Sequence, residues 1–496
     1  MTSDRRSWLQ AVTHFATDHQ VAPELVDALQ AYGRGGERTW DGDFAQLEAS
    51  LQRDTRELER RIRVELAQEV DAHQAGMFAD RFRSVADLLG ADASAEARIL
   101  GVGLLERIRQ VLDEAGPTRA LRVRGVVDYI YSRAALLWHT RREGPAPSLS
   151  AWVAAWVSSP GFREIRPGIR FGRLEGPTEW GPQHVSVLQI DPGAAQLDAI
   201  DAWQAWGPHQ DLPALVRAEG AVAAFSGGFF LYSEPDLTDA CQRHDPVGLV
   251  VRQGQVVRPA VLNRAALVQH HDGTIDIRVI GCGDHELDVG AGWQRPTAWR
   301  NRAHAARASG TAIVGDRVVG AGTDLEVPLN GVVISALDHR PAGVPASDRV
   351  RWRLPGIRTA MAGGPGLLVE GRPGLDLVAE DFAGTAPPRT FVDDETGDRN
   401  LLPRLAVGLD QRGRLLVVAV DGRHAERALG LGLHSLGELL AGLGAVRAMN
   451  LDGGSSKRMV VDGTIVDLPS IGVQGAGLQV TEVRPLHTAV LVRPAP

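Results

Sequence analysis

The sequence predicts an α+β protein in two parts: an all-helical first third, then a longer β-rich part. Three observations lead there. Apolar residues recur at helical spacing through a highly charged stretch that ends near residue 142. Glu143-Gly144-Pro145-Ala146-Pro147-Ser148 then interrupts any regular element. Beyond it, short runs of β-branched and aliphatic residues alternate with Gly/Pro turns. At 496 residues the chain is also long for a single core, which favours more than one domain.

Taken in order, Leu47, Leu51, Leu58, Ile62, Leu66 and Val70 make one apolar helical stripe. Ile99, Leu100, Leu104, Leu105, Ile108, Val111 and Leu112 make a second, stopped by Gly116-Pro117. A third helix runs from about Leu121 to Trp138. A short helix around Trp152 to Val157 follows the linker. Strands are expected at His184–Ile190, Ala221–Phe225, Gly248–Val251, Ile275–Ile280, Thr311–Val314, Gly331–Ser335, Leu405–Leu409 and Leu415–Val420. Ser435-Leu436-Gly437-Glu438 has capping-box spacing, and a helix from there should end at Gly442 or Gly444. The expected division is 1–142 as a helical accessory domain, 143–160 as linker and short helix, and 161–496 as the β-rich domain. The acidic run Asp393-Asp394-Glu395-Thr396-Gly397-Asp398 reads as a solvated loop.

Composition narrows the function. A hydrophobic share of 44% with 23% charged residues is ordinary for a globular protein. A net charge of −8 argues against general nucleic-acid binding, which needs clustered positive surface. No apolar stretch approaches the ~20 residues that span a bilayer, and no signal-peptide core is visible, so a cytoplasmic location without membrane contact is expected. Two cysteines, Cys241 and Cys282, are too few for a disulfide scaffold or a structural zinc site. Free thiols are expected, with Cys241 and His244 the one conceivable metal pair. No metal or cofactor is expected.

Chemistry gathers in the last hundred residues. Leu415-Leu416-Val417-Val418-Ala419-Val420 is a continuous apolar run, as expected of a strand buried on both faces, and it ends in Asp421-Gly422-Arg423. Ala445-Val446-Arg447-Ala448-Met449 runs into Asn450-Leu451-Asp452-Gly453-Gly454-Ser455-Ser456-Lys457. Lys457 is the only lysine; every other basic side chain among the 53 is arginine. Two buried strands ending in Asp-Gly imply a shared rim with paired carboxylates, the equipment of glycosidic bond cleavage, although Asp-Gly is also a common turn dipeptide. Arg404 opens a strand where its fork could meet a phosphate. Glycine pairs Gly227-Gly228, after Ser226, and Gly363-Gly364 adjoin other strands. Such loops let backbone approach a ligand closely.

In this order the segments resemble the phosphodiester glycosidase family, which includes the lysosomal uncovering enzyme. The resemblance runs from about Ile165 to Leu491. It rests on Arg166-Pro167-Gly168-Ile169, Gly220 to Phe230, Gly363-Gly364-Pro365, Pro403-Arg404, Val420-Asp421-Gly422-Arg423, Asn450 to Ser456 and Pro469-Ser470. Three positions depart from the family pattern: Ser226 stands for Asn, Leu405 for Thr, and Lys457 for a small hydroxyl residue.

The resemblance implies a hydrolase cleaving the glycosidic bond of a sugar 1-phosphodiester, a small-molecule substrate. Arg404, Lys457 and the amides of Gly453, Gly454, Ser455 and Ser456 would hold phosphate. Asp452 or Asp421 would act as nucleophile or base. Arg423, Asn450, Ser226, Gly227, Gly228, Gly363 and Gly364 would line the site. A non-catalytic sugar- or phosphate-binding or assembly protein on the same scaffold is the alternative. In either case the N-terminal helices are expected to serve docking to a protein partner or homo-oligomerisation. A Ser/Lys acyl hydrolase is disfavoured, because adjacent serine and lysine have poor geometry for it.

Overall fold

The computed structural model describes residues 44–70, 72–90, 95–114, 116, 118–232, 234, 237, 241–341, 348–388, 400–470 and 484–495. Residues 1–43, part of the expected helical third, and the acidic run 393–398 lie outside the described residues. The described chain falls into two compact units that divide between Gly144 and Pro145, with Asn400 grouped with the first.

The first unit contains α1 (Phe44–Glu65), α2 (Ala72–Gly90), α3 (Ala95–Asp113) and α4 (Arg119–Glu143). Leu58, Ile62 and Leu66 bury the first stripe, and Leu100, Leu104, Ile108 and Val111 the third helix. Helix α2 escapes the sequence reading because two of its buried positions, Ala75 and Ala79, carry little apolar weight beside Phe82, Val85 and Leu89. Helix α4 buries residues on most sides, and its Asp128 accepts a hydrogen bond from Arg81 of α2 at 3.1 Å. Gly144 ends it with φ of 77°, a conformation glycine adopts without strain.

The second unit begins with α5 (Leu149–Ser158), capped by Ser148. It is built on an eight-stranded antiparallel sheet. Its strands are β1 (Arg163–Arg166), β2 (Ile169–Thr178), β3 (Gly181–Ile190), β6 (Gly366–Val369), β7 (Arg372–Pro373), β8 (Arg404–Asp410), β9 (Leu415–Val420) and β10 (Ala445–Asn450), in the order β1-β2-β3-β9-β8-β10-β6-β7. A second sheet has the order β12-β11-β5-β13-β4, with β4 at Ala195–Asp201, β5 at Ala223–Ser226, β11 at Met459–Val461, β12 at Thr464–Ile465 and β13 at Thr488–Pro494. Further sheets use Val250–Arg252, Arg264–His270, Ile275–Ile280, Ile357–Ala362 and the strands between Glu286 and Arg353.

The apolar run of β9 has a direct cause. Leu415, Val417 and Ala419 face a core shared with Phe225, Val490 and Leu267. Leu416, Val418 and Val420 face Leu433, Leu436, Leu439 and Leu440 of α6 (Leu433–Gly442), with Leu149 and Val153 of α5. With both faces covered, no position can be polar. Helix α6 starts two residues before Ser435, with Gly432 as its N-cap and no side-chain cap, so Ser435 and Glu438 form no capping box. Cys241 and Cys282 are buried and form no disulfide.

Candidate functional site

Three adjacent strands assemble the rim. Antiparallel pairing sets Arg404 opposite Val420 and Ala406 opposite Asn450. The start of β8 and the ends of β9 and β10 therefore share one edge, which brings Arg404, Asp421 and Asp452 together. Both Asp-Gly turns close on Pro403. A Cβ on Gly422 would stand 2.6 Å from the Pro403 nitrogen, and one on Gly453 2.7 Å from the Pro403 oxygen. Only glycine allows that approach.

The two other glycine pairs meet the same edge. Asp452 N–H donates to the Gly227 carbonyl at 3.0 Å, and Gly364 N–H to the Asn450 carbonyl at 2.8 Å. Asn450 Nδ2 donates to the Gly364 carbonyl at 3.0 Å, while its Oδ1 is buried without a partner. A Cβ on Gly228 would lie 1.9 Å from the Ala362 carbonyl oxygen, and one on Gly363 2.7 Å from the Asn450 oxygen. Ser226 belongs to strand β5, and its hydroxyl accepts the Arg458 N–H at 3.1 Å. Its side chain supports the strand pair behind the loop.

Beneath the rim lies a buried charge network. The side chains of Asp421, Asp467 and Lys457 are 0% exposed and that of Arg458 is 1% exposed. Lys457 Nζ donates to Asp421 Oδ1, to Asp467 Oδ2 at 3.1 Å and to the Leu468 carbonyl at 3.2 Å. Asp421 Oδ1 also accepts Leu468 N–H at 3.0 Å, and its Oδ2 accepts His184 Nδ1–H. His184 Nε2 stands 3.0 Å from the exposed Glu175. Asp467 is held by Arg458 at 2.7 Å and by Met459 N–H at 2.6 Å. Burial pushes the Asp421 carboxyl up, but the Lys457 charge and the His184 bond overcome it and hold it below the usual carboxylate value.

This network corrects two expectations. Lys457 has all three donors engaged, so it has none for a phosphate. Asp421 has both oxygens engaged and no exposure, so it does not pair with Asp452 at an open rim. Asp452 is half-buried at the surface of the edge. The lysine among arginines signals a compact ammonium that fits between two buried carboxylates. Asp467 and His184, which complete the network, carry no motif.

Arg404 and Arg423 are each 5% exposed. Arg404 Nε donates to the Leu431 carbonyl at 3.0 Å, and Arg423 Nη1 to the Ser470 carbonyl at 3.3 Å. Arg423 adopts φ of 63°, which turns the chain sharply after Gly422. The Gly453–Ser456 loop is not an open nest along its length. Gly454 N–H donates to the Pro403 carbonyl at 2.8 Å, and Ser456 N–H to the Gly453 carbonyl at 3.0 Å.

Beside the loop stands an aromatic stack not singled out in the sequence. Phe230, leaving the Gly227-Gly228 turn, stacks on His487 at 3.5 Å between centroids. His487 Nε2 is hydrogen-bonded to His244 Nδ1 at 2.8 Å, and Trp203 stacks on His244 at 3.9 Å. His244 Nδ1 is thus held by His487. Among the described residues, no group of three or more His, Cys, Asp or Glu side chains could hold a metal ion. Arg484 lies over Tyr232 at 4.6 Å and Phe230 at 5.4 Å, and its Nη1 donates to Ser455 Oγ at 3.1 Å.

Comparison with known proteins bears on this edge directly. Residues 314–493 match the family model described as phosphodiester glycosidase. The chain is similar to that family over this stretch. Its matched stretch takes in β8, β9, β10, Asp421, Asp452, Lys457 and Arg484, and is shorter than the span over which the sequence resembles the family. A bovine (Bos taurus) N-acetylglucosamine-1-phosphodiester alpha-N-acetylglucosaminidase is 40% identical over 81 residues, 15% of this chain and 15% of the relative. The SPbeta prophage-derived uncharacterized protein YomE of Bacillus subtilis (strain 168) is 33% identical over 103 residues, 21% of this chain and 15% of that protein. The aligned parts of the chain thus span a small share of these relatives' length. The solved catalytic domain of zebrafish N-acetylglucosamine-1-phosphodiester alpha-N-acetylglucosaminidase gives a TM-score of 0.40 at 15% identity, covering 70% of this chain and 86% of that one. The matched stretch contains Asp452 at the rim and Asp421, Lys457, Arg458 and Asp467 buried below it.

Proposed function

We propose that the protein hydrolyses the glycosidic bond of a sugar 1-phosphodiester, with Asp452 as the working carboxylate. The observation that carries this reading is the division of labour between the two strand-end aspartates. Asp421 is neutralised below the rim, while Asp452 stays half-exposed on a loop clamped by Gly227 and Pro403. The anomeric carbon–oxygen bond breaks and its electron pair leaves on the phosphate monoester, which needs little help from an acid. Water supplies the new oxygen. Asp452 either takes the proton of that water or first attacks the sugar and is released by it.

The scaffold alternative, a sugar- or phosphate-binding protein without turnover, draws on Ser226, whose hydroxyl is taken by Arg458 N–H. One experiment separates the two. The protein is incubated with a sugar 1-phosphodiester, a chromogenic glycoside and a simple ester, and released sugar and phosphate monoester are measured. Asp452→Asn should lower kcat by about 10²–10⁴-fold with the fold intact, since the amide keeps the shape but not the base. Binding of the diester without turnover in the wild type would favour the scaffold reading.

A further inference from the structure

The basic side chains assigned to phosphate from the sequence are all drawn inward. Lys457 is saturated by two carboxylates and a carbonyl, and Arg404 and Arg423 are buried and bonded to the backbone carbonyls of Leu431 and Ser470. A diester anion at the Asp452 edge still needs a cation.

We propose that Arg484 is that cation, a phosphate-reading residue oriented by Ser455 and Tyr232; the proposal rests on the sugar-phosphodiester reading. Arg484 is half-buried, and one of its nitrogens is fixed by Ser455 of the Asp452 loop. Its flat guanidinium is held against the rings of Tyr232 and Phe230. Among the described residues its Nε and Nη2 make no hydrogen bond. A guanidinium stacked on rings has its faces covered and its N–H edge presented, the arrangement that meets two phosphate oxygens in parallel.

The support is rigid. Phe230 rests on His487, which is bonded to His244, and both lie against Trp203. Burial first, then the charges of Arg484 and His244, push the His487 imidazole down to about 2. The stack under Arg484 therefore contributes no competing charge from His487 at neutral pH. Phe230 and Asp452 are also tied to one turn, because Gly227 accepts the Asp452 N–H while Phe230 leaves three residues later. Cation and carboxylate are thus anchored to the same piece of backbone. One holds the leaving phosphate while the other acts on the sugar.

The test uses the full chain carrying Asp452→Asn, so that turnover does not interfere. Calorimetric titration compares the methyl phosphodiester of N-acetylglucosamine 1-phosphate with free N-acetylglucosamine. Adding Arg484→Gln should weaken the diester by about 10–100-fold and leave the free sugar unchanged, with Arg484→Lys in between. The diester affinity of the parent should fall with added salt, and that dependence should shrink in Arg484→Gln. An Arg484→Gln protein that binds the diester within twofold of its parent overturns the proposal, as does equal loss of diester and free sugar, or no diester binding in the parent. Full turnover by Asp452→Asn with Arg484-dependent binding would overturn the catalytic reading and leave this one standing.

Discussion

Replacing Lys457 by methionine tests whether this residue belongs to the floor of the site or to its ligand. The substitution keeps length and apolar volume but removes the charge between Asp421 and Asp467. Breaking a buried ion pair at one partner costs about 3–5 kcal/mol, because a carboxylate is left without its counter-charge in a low-dielectric site. Here the loss is cushioned. Asp421 retains His184 and the Leu468 N–H, and Asp467 retains Arg458 and the Met459 N–H. The lower end, about 3 kcal/mol, is therefore expected. At about 2.1 cal/mol/K of unfolding entropy per residue, that lowers the melting temperature of a β-rich unit this size by roughly 4 °C. The pH dependence should change as well. In the wild type Asp421 titrates below its unfolded value, so its contribution is present above about pH 4 and is lost as the pH falls through the folded value. Without Lys457, burial pushes its titration upward, and the deficit of the variant should narrow as the pH is lowered towards 5. Urea unfolding at pH 5 and pH 8 measures both effects. Wild-type stability at both pH values, with a defect confined to KM for a phosphodiester, would refute the structural role and return Lys457 to the phosphate.

Two further outcomes follow from the same geometry. His487 titrates at about 2 when folded against about 6.5 when unfolded, so the unfolded chain alone gains its proton below pH 6.5; stability should fall by about 2–3 kcal/mol between pH 6.5 and 4.5 on its account. His487→Gln should flatten that acid slope, and an unchanged slope in denaturant titrations would show that other groups set it. Gly228→Ala would drive a methyl to 1.9 Å from the Ala362 oxygen and should cost about 3 kcal/mol or more; unfolding within about 0.5 kcal/mol of wild type would mean the loop yields freely.

Some of this was legible in the chain. The run Leu415–Val420 announced a strand covered on both faces, and the two Asp-Gly ends pointed to one edge, because local alternation and turn chemistry decide such features. Strand β2 and strand β13 were not legible. Ile169–Thr178 mixes arginine, glycine and proline with its buried residues, and its glycines answer to the packing of Trp152 and Trp156 of α5. Which carboxylate faces outward was also beyond the sequence. Asp421 and Asp452 have the same local signature, and partners far along the chain, His184 and Asp467, set them apart. Arg484 looked like any other arginine until Tyr232 and Ser455 were placed beside it.

Strand β13 lies inside the second sheet, between β5 and β4, and pairs with both. The sheet that carries Ser226 and the Gly227-Gly228 turn is therefore unfinished until residues 488–494 have been synthesised. Contacts joining residues more than two hundred positions apart, such as His184 with Asp421 and Ser226 with Arg458, form late, since long loops must close first. The helices before Gly144 close mostly over short stretches and have no such wait. On the ribosome the helices before Gly144 would form while the β-rich unit still exposed the open edges of β4 and β5, and that interval is when the nascent chain most needs protection from aggregation.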